Sequence, residues 1–451
     1  MNGKGSGDVS AGTPVAPSLD RRGLPPVPAA QPDSRSGGVV TLLLLSMIYG
    51  IQYLNQILVG LFAPGIKSEF KLTDTQVGLL TGVAFTLLYA VLGFPMARLA
   101  DKWNRKYLII ISVALFSAAT LGSAWATGFI TLFLARVCMA VGEAGTMPAS
   151  VSILADRFAS RRRQLVMALH SSGGFLGTAV GMLLMGFWGS ATTWRGAFLG
   201  VGWVGLALAA VAAIAVASTE TRAASRVPSS FFADVWKIAT NRSYVLMVAG
   251  LAVASIASSS AINWAPSFLA RYHGMSQRQI LLAMALAWCV GATPGSVIFG
   301  FVTTWLHRIG GRWPVVAVAA LALAFPIVLC LAFAASSPIV ALFGISAGML
   351  VMGGIRGPIF ATVQDVIPSN LHATATAIMM FFMYAIGVTF GPLLTGIASD
   401  ALAPRFGSEA LRYGLFIVIL SAGAGGSLLL AAAGALLSPK KSAANDRSWP
   451  A

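Results

Sequence analysis

The sequence has little charge, few acids and few residues suited to catalysis. Only 10% of its 451 residues are charged, while 57% are hydrophobic and the mean hydropathy is +0.80. About a quarter of the residues of a soluble domain are charged, so this composition excludes an ordinary soluble protein. A membrane-spanning helix needs about 20 mostly apolar residues, so the chain has room for roughly a dozen spans.

Cysteine and histidine are also scarce, which limits the possible chemistry. The three cysteines lie inside apolar stretches, without a CxxC or Cys/His spacing: Cys138, Cys289 and Cys330. We therefore predict packing cysteines, no metal site and no cofactor. The four histidines are scattered, and no HExxH, Ser-His-Asp or phosphate-binding glycine loop occurs. These absences argue against an enzyme and against an ATP-driven pump.

Basic residues outnumber acidic ones, 30 to 14, and their placement indicates topology. They lie in loops between apolar stretches, so we predict the lipid bilayer rather than a nucleic acid as the partner. With the N-terminus inside, alternate loops and tails carry 21 basic residues on the cytoplasmic side and 7 on the other. Because basic residues are retained in the cytoplasm, we expect a multi-pass protein of the cytoplasmic membrane with both termini cytoplasmic.

The apolar stretches form two blocks of six. We expect a disordered cytoplasmic tail at 1–38, helical bundles at 39–217 and 243–437, a linker with a short amphipathic helix at 218–242, and a second tail at 438–451. The predicted spans are 39–64, 76–99, 107–127, 130–155, 164–187, 194–217, 243–269, 279–306, 313–334, 338–363, 372–397 and 411–437. Similar Asp-x-x-x-Ser segments, 156–160 and 365–369, follow the fourth span of each block, which indicates two repeats. The fold class is therefore all-α integral membrane, with two pseudo-symmetric six-helix bundles.

The loop after the second span resembles a known family signature. Residues 97–106 read ARLADKWNRK, which is similar to the G-x-L-A-D-R-x-G-R-K signature of the major facilitator superfamily. This resemblance implies a transporter that works by alternating access. It also implies a cytoplasmic gate in which Asp101 meets the start of the eleventh span and Arg105 pairs with a carboxylate such as Asp156. A plain cytoplasmic loop would explain the basic residues but not the acid among them.

The fourth span resembles one branch of this superfamily in particular. Residues 136–149 (RVCMAVGEAGTMPA), with 72–82 before them, are similar to the spinster-like branch. Members of that branch usually have an acid at the position of Asn55 and an arginine at that of Gln56. Because Asn55 cannot titrate, the resemblance leaves Glu143 as the candidate proton carrier.

Charged and polar residues inside predicted spans are the candidate substrate contacts, because ionised groups in a bilayer normally face a cavity or a partner. The predicted substrate-binding residues are Tyr53, Asn55, Gln56, Arg136, Glu143, Trp264, Arg356 and Tyr384. Arg136 and Arg356 would suit a carboxylate or a phosphate. Alternatively, each arginine holds helices together by binding a helix carbonyl or Glu143.

The sequence thus predicts a monomeric secondary transporter for an organic anion or an amphipathic lipid-like solute. A proton-coupled importer of small organic acids, such as aromatic carboxylates, and a multidrug-type exporter are the alternatives. A channel or a receptor fits the composition, but it does not fit the two-block organisation and the loop signature.

Overall fold

The computed structural model describes residues 35–158, 160–188, 193–216, 231–310, 312–368 and 371–437. Most of both predicted tails and residues 217–230 of the predicted linker lie outside these ranges. The second half of the linker is described, and a helix lies there at Phe231–Ala239. Its Ile238 is buried and its Trp236 is exposed, as expected of an amphipathic helix at a membrane surface.

Twelve segments of the described ranges cross the membrane. Eleven continuous apolar segments are long enough to span it, and the last of them, Thr374–Leu436, has 63 residues. That is about three times the length of one span, and the chain reverses within it at a turn, Gly407–Glu409, where Gly407 has a φ of 54°. The long segment is therefore two spans, and the predicted count of twelve is confirmed.

We number the spans 1–12 in chain order. Span 1 is Arg35–Leu61; span 2 is Asp74–Thr81, Val83–Leu87 and Leu88–Lys102; span 3 is Arg105–Ser123; span 4 is Phe129–Ala144 and Thr146–Arg157; span 5 is Ser160–Phe187; span 6 is Trp194–Ala215. Span 7 is Arg242–His273; span 8 is Gln277–Ala287, Trp288–Ala292 and Thr293–Ile309; span 9 is Trp313–Ala334; span 10 is Pro338–Val366; span 11 is His372–Phe382, Met383–Val388 and Thr389–Phe406; span 12 is Ala410–Leu436. Spans 2, 8 and 11 each contain a π-helical turn, a feature often found at functional sites.

The two halves, spans 1–6 and 7–12, repeat one another in detail. The second span of each half begins with a capping box, in which a hydroxyl and a glutamine bind each other's main-chain N–H: Thr73 with Gln76, and Ser276 with Gln279. Each box follows closely on a residue in the left-handed conformation, Lys71 in one half and Gly274 in the other. Equivalent loops therefore start equivalent spans, which supports the prediction of two repeats.

Observed span bounds lie within a few residues of the predicted ones, except at the end of span 11. The prediction ended this span at 397 and counted Arg405 among the loop residues, but the helix continues to Phe406. The carboxylate of Asp400 binds the start of span 2, and the ring of Phe406 packs on Tyr413 with ring centroids 4.5 Å apart. These contacts fix the additional turns.

The halves are sealed against each other on one side of the membrane. We call the side on which spans 1 and 12 have their chain ends the tail side, and the other the far side. On the far side, spans 2 and 11 approach so closely that a Cβ added to Gly78 would lie 2.6 Å from the carbonyl oxygen of Pro392. A Cβ on Gly82 would lie 2.1 Å from the carbonyl oxygen of Thr389. Only glycine permits this backbone contact.

We expect Gly82→Ala to open the far side. The added methyl group cannot fit against the Thr389 carbonyl, and overpacking of this kind costs about 1–3 kcal/mol. The population open to the far side should rise about tenfold or more. The measurement is the rate at which an impermeant thiol reagent, added from the far side, labels Ser259→Cys in a chain without its three native cysteines.

Gly122→Ala is the matched control, because nothing lies within 4 Å of a Cβ at this position. Equal labelling rates in the two glycine variants would contradict the tight seal between spans 2 and 11.

Candidate functional site

A buried polar cluster joins span 4 to span 1. Glu143 is fully buried, and its two carboxylate oxygens accept hydrogen bonds of 3.0 Å from Asn55 Nδ2 and Gln56 Nε2. Gly142 and Gly145 flank Glu143 and let span 4 pack against span 3, since a Cβ on either would meet span 3 at 2.5 Å or less. Successive residues of a helix point about 100° apart, so Glu143 is turned towards span 1.

Arg136 binds the main chain of the same two residues. Its Nη1 donates to the carbonyl oxygen of Asn55 and its Nη2 to that of Gln56, each at 3.0 Å. The guanidinium is fully buried and lies 4.8 Å from the ring centroid of Phe85. No ion pair joins Arg136 directly to Glu143 among the described residues. Of the two roles considered for Arg136, this arrangement matches the one that holds helices together.

A cavity of about 220 Å³ lies between the halves, on the tail side of this cluster. Aromatic and sulfur-containing side chains dominate its lining, with the Gln56 amide at one end. The lining residues are Tyr49, Gln56, Tyr89, Ala90, Gly93, Ala144, Met147, Pro148, Ala377, Met380, Phe381 and Tyr384. None of these described side chains is charged.

A second, smaller chamber of about 40 Å³ adjoins the cavity towards the far side. Gln56 and Tyr384 border both spaces. The rest of the chamber has a mixed lining, in which apolar side chains alternate with hydroxyl and amide groups of both halves: Thr81, Thr86, Ser259 and Asn263. This volume suits a few water molecules or one small polar group.

The predicted site residues are placed as follows. Gln56 and Tyr384 line the cavity, Tyr53 lines the small chamber, and Asn55 and Glu143 lie one layer behind Gln56. Trp264 is buried away from both spaces, where its Nε1 donates to the Pro392 carbonyl oxygen at 3.0 Å. The side chain of Arg356 lies outside the described residues. The roles of these residues in binding a substrate stay predictions.

Two residues of the predicted tail-side gate are in contact. Arg105 Nη1 donates to Asp156 Oδ2, and Arg105 Nε donates to the carbonyl oxygen of Ala100 at 3.4 Å. The main chain of Asp101 lies in the last turn of span 2, which ends at Lys102, but the side chain of Asp101 lies outside the described residues. Whether the three residues work as a gate stays a prediction.

A far-side latch was not predicted. Asp74 at the start of span 2 accepts hydrogen bonds from Arg271 Nη1 and Nη2 at 2.8 and 2.6 Å and from Ser399 Oγ at 2.6 Å. Asp400 in turn accepts the main-chain N–H groups of Asp74 and Thr75 at 3.0 and 2.7 Å. The latch thus ties the N-terminus of span 2 to spans 7 and 11. Two acids in the sequence could have indicated the latch. Asp74 directly follows a capping threonine, and Asp400 lies near the end of an apolar stretch.

We expect Asp400→Asn to loosen this latch. The asparagine keeps its size but loses the charge that favours the N-terminus of a helix, and hydrogen bonds to charged groups contribute about 1.5–3 kcal/mol each. The far side should therefore open about tenfold more often. The measurement is the distance distribution between spin labels at Ser68→Cys and Ala403→Cys, by double electron–electron resonance.

Glu409→Gln is the control, because its ion pair with Arg412 lies within one half. A distance distribution that is unchanged in Asp400→Asn, or equally broadened in both variants, would refute the latch.

A second prediction concerns Arg136. Arg136→Gln removes both bonds to the carbonyls of span 1 and leaves Glu143 without a buried counter-charge, a loss that typically costs about 3–5 kcal/mol. We expect a lower thermal unfolding midpoint in detergent, partly restored by the double change Arg136→Gln with Glu143→Gln. A double change whose midpoint falls by the sum of the two single effects would show that the charges are not coupled.

The chain is similar in sequence to known membrane proteins. The sequence profile described as Major Facilitator Superfamily matches residues 45–392. The chain belongs to this superfamily. An MFS-type efflux pump of Mycolicibacterium smegmatis is 29% identical over 377 residues, which cover 83% of this chain and 87% of that protein. Human protein spinster homolog 1 is 26% identical over 448 residues, which cover 90% of this chain and 82% of that protein.

A solved structure shares the fold. It is a bacterial homolog of the human lysosomal transporter Spinster, in an inward-facing and unoccupied conformation. Its TM-score is 0.75 at 22% sequence identity, and the match covers 89% of this chain and 96% of that one. The major facilitator fold, the spinster-like resemblance and the prediction of a membrane transporter rather than an enzyme are confirmed.

Proposed function

We propose that this transporter carries an amphipathic organic solute, lipid-like or anionic, across the cytoplasmic membrane by alternating access. The observation that carries the proposal is the cavity between the halves. Its methionine and aromatic side chains offer an apolar surface, while the Tyr49, Tyr89 and Tyr384 rings bring hydroxyl groups and Gln56 an amide. Such a lining favours a ligand with an apolar body and a polar end.

The cavity volume limits the solute. Drug-sized ligands occupy pockets of about 300–1,000 Å³, whereas this cavity measures about 220 Å³. A small aromatic or aliphatic molecule, or part of one acyl chain, fits this space. We propose that the polar end points towards Gln56 and the small chamber beyond it.

The charge distribution orients the protein. The tail side carries 21 basic residues and the far side 7 in the predicted topology, so we place the tail side and both termini in the cytoplasm. The cavity then lies on the cytoplasmic side and the latch on the outside, and the protein acts as a monomer with its own central site.

Glu143 is the proposed site of proton coupling. It is a fully buried carboxylate one hydrogen bond from the cavity-lining Gln56. Keeping a carboxylate ionised inside a membrane costs free energy. If alternating access changes the surroundings of Glu143, this cost changes too, and Glu143 gains or loses a proton.

The two alternatives fit the lining differently. A multidrug-type exporter is favoured by Met147 and Met380, because flexible methionine surfaces adapt to varied ligands, and one relative is an efflux pump. An importer of small organic acids would need a cation at the cavity, and Arg136 is instead bound to main-chain carbonyls. We therefore rank the exporter second.

Transport in proteoliposomes tests the proposal. A labelled lysolipid, an aromatic carboxylate and an aromatic cation are each supplied with and without a proton gradient. We expect the wild type to transport the lysolipid. In Glu143→Gln, gradient-driven accumulation should fall at least about tenfold, while exchange of labelled for unlabelled solute should persist. Loss of a proton site uncouples transport from the gradient without removing the solute site.

Four results would contradict the proposal in whole or in part. Transport of the carboxylate alone would favour the organic-acid importer, and transport of the cation alone would favour the exporter. Unchanged gradient-driven accumulation in Glu143→Gln would remove the coupling role of this residue. Lack of stimulation by unlabelled solute on the opposite side would indicate a pore.

A further inference from the structure

Gln56 stands between the buried carboxylate and the space where a solute would bind. Its Nε2 donates to Glu143 Oε2 at 3.0 Å, and its side chain borders both the cavity and the small chamber. Among the described residues, no donor reaches Gln56 Oε1. One end of the amide is therefore occupied by Glu143, and the other is available to a ligand.

The state of Glu143 determines which end is available. An ionised carboxylate only accepts hydrogen bonds, so Gln56 must turn its NH2 group towards Glu143 and present its carbonyl oxygen to the cavity. A protonated carboxyl group donates one hydrogen bond. If the proton is on Oε2, rotation of the amide by half a turn lets Gln56 Oε1 accept it, and the NH2 group then faces the cavity.

The neighbouring amide is less free to turn. Asn55 is fully buried, its Nδ2 donates to Glu143 Oε1, and its Oδ1 accepts from Thr120 Oγ1 at 3.2 Å. Gln56 is only partly buried. The rotation is therefore available to Gln56 rather than to Asn55.

We propose that Gln56 is a specificity-determining residue that converts the proton on Glu143 into a change of hydrogen-bond polarity at the cavity. With Glu143 ionised, the site selects a hydrogen-bond donor such as a hydroxyl or an ammonium group. With Glu143 protonated, it selects an acceptor such as a carbonyl or a carboxylate. This inference rests on the proposed function, because it requires Glu143 to gain and lose a proton during transport.

The other titratable groups near Glu143 do not change with it. Arg136 lies on the same span, and Tyr89 of span 2 interacts electrostatically with the carboxylate. A guanidinium stays charged in proteins, and a phenol is neutral below about pH 10. His170 lies against Tyr49 with ring centroids 5.2 Å apart. Glu143 is thus the group whose proton alters the site.

The polarity change links solute chemistry to coupling direction. A solute with an acceptor group binds best with the proton present, so solute and proton move together. A solute with a donor group binds best with the proton absent, so it exchanges with the proton. The same cavity would therefore import one class with protons and export the other against them.

The test uses two uncharged probes, because a charged probe would respond to Glu143 directly. A medium-chain methyl ketone only accepts hydrogen bonds, whereas a primary alcohol of equal length both donates and accepts. Binding to the purified protein in nanodiscs is measured by calorimetry between about pH 5 and about pH 9, with empty nanodiscs as blanks. In the wild type, we expect ketone affinity to be about tenfold higher at the acid end, and alcohol affinity to change about threefold at most.

Three variants locate the effect. Gln56→Met keeps the side-chain size and should make ketone affinity independent of pH. Glu143→Gln should do the same through loss of the titrating group. Tyr49→Phe changes a cavity residue on the same span. This variant should retain the tenfold change of ketone affinity with pH, even if its ketone affinity differs from that of the wild type.

The outcomes separate this inference from the proposed function. A tenfold pH response that survives in Gln56→Met, or a ketone affinity that is flat in the wild type while transport remains proton-driven, overturns the polarity change alone. Failure of both probes to bind the wild type at any pH overturns the amphipathic-solute proposal together with the inference.

Discussion

The structure depends on how one half of the protein keeps a carboxylate and a guanidinium inside the membrane without a direct ion pair. Two consecutive residues, Asn55 and Gln56, lie between the charges. Their main-chain carbonyls bind Arg136 and their side-chain amides bind Glu143. The dipoles of span 1 thus stabilise both charges, and any change at either charge is transmitted to span 1, which lines the cavity.

The second constraint is the asymmetry between the two sides of the membrane. On the far side, glycines of span 2 bring its backbone against span 11, and charged residues reinforce the contact. On the tail side, Tyr89 and Gly93 of span 2 and Phe381 of span 11 border the cavity. The two spans still touch there, since the rings of Tyr89 and Tyr384 lie with their centroids 5.4 Å apart. Spans 2 and 11 are therefore packed more tightly at the far end than beside the cavity, which is the geometry expected of two bodies that rock about a central site.

Much of this organisation could be predicted from the sequence. Hydropathy, and the positions of glycine, serine and asparagine, depend only on residues that are close together in the chain. The spans, the repeat and the placement of Gln56 and Tyr384 belong to this class. The partners of Arg136 could not be predicted, since main-chain carbonyls leave no mark in a sequence. The contact between Asp74 and Arg271 joins residues far apart in the chain, and only the relative position of the two halves creates it. Trp264 was predicted to line an amphipathic pocket, and its hydrogen bond to the main-chain carbonyl of Pro392 could not be predicted for the same reason as the partners of Arg136.

The N-terminus of span 2 has a consequence for the form that is open to the far side. While the halves are closed, the first N–H groups of this helix are bound by Asp400, and Asp74 is bound by Arg271. When the halves part, the N–H groups and the charged side chains lose these partners, and only solvent can take the partners' place. Separation therefore draws water into a narrow cleft, and mobile ions entering with it screen the charges that would bring the halves together again. The rate of return should consequently depend on the electrolyte on the far side of the membrane, even for ions that the protein does not carry.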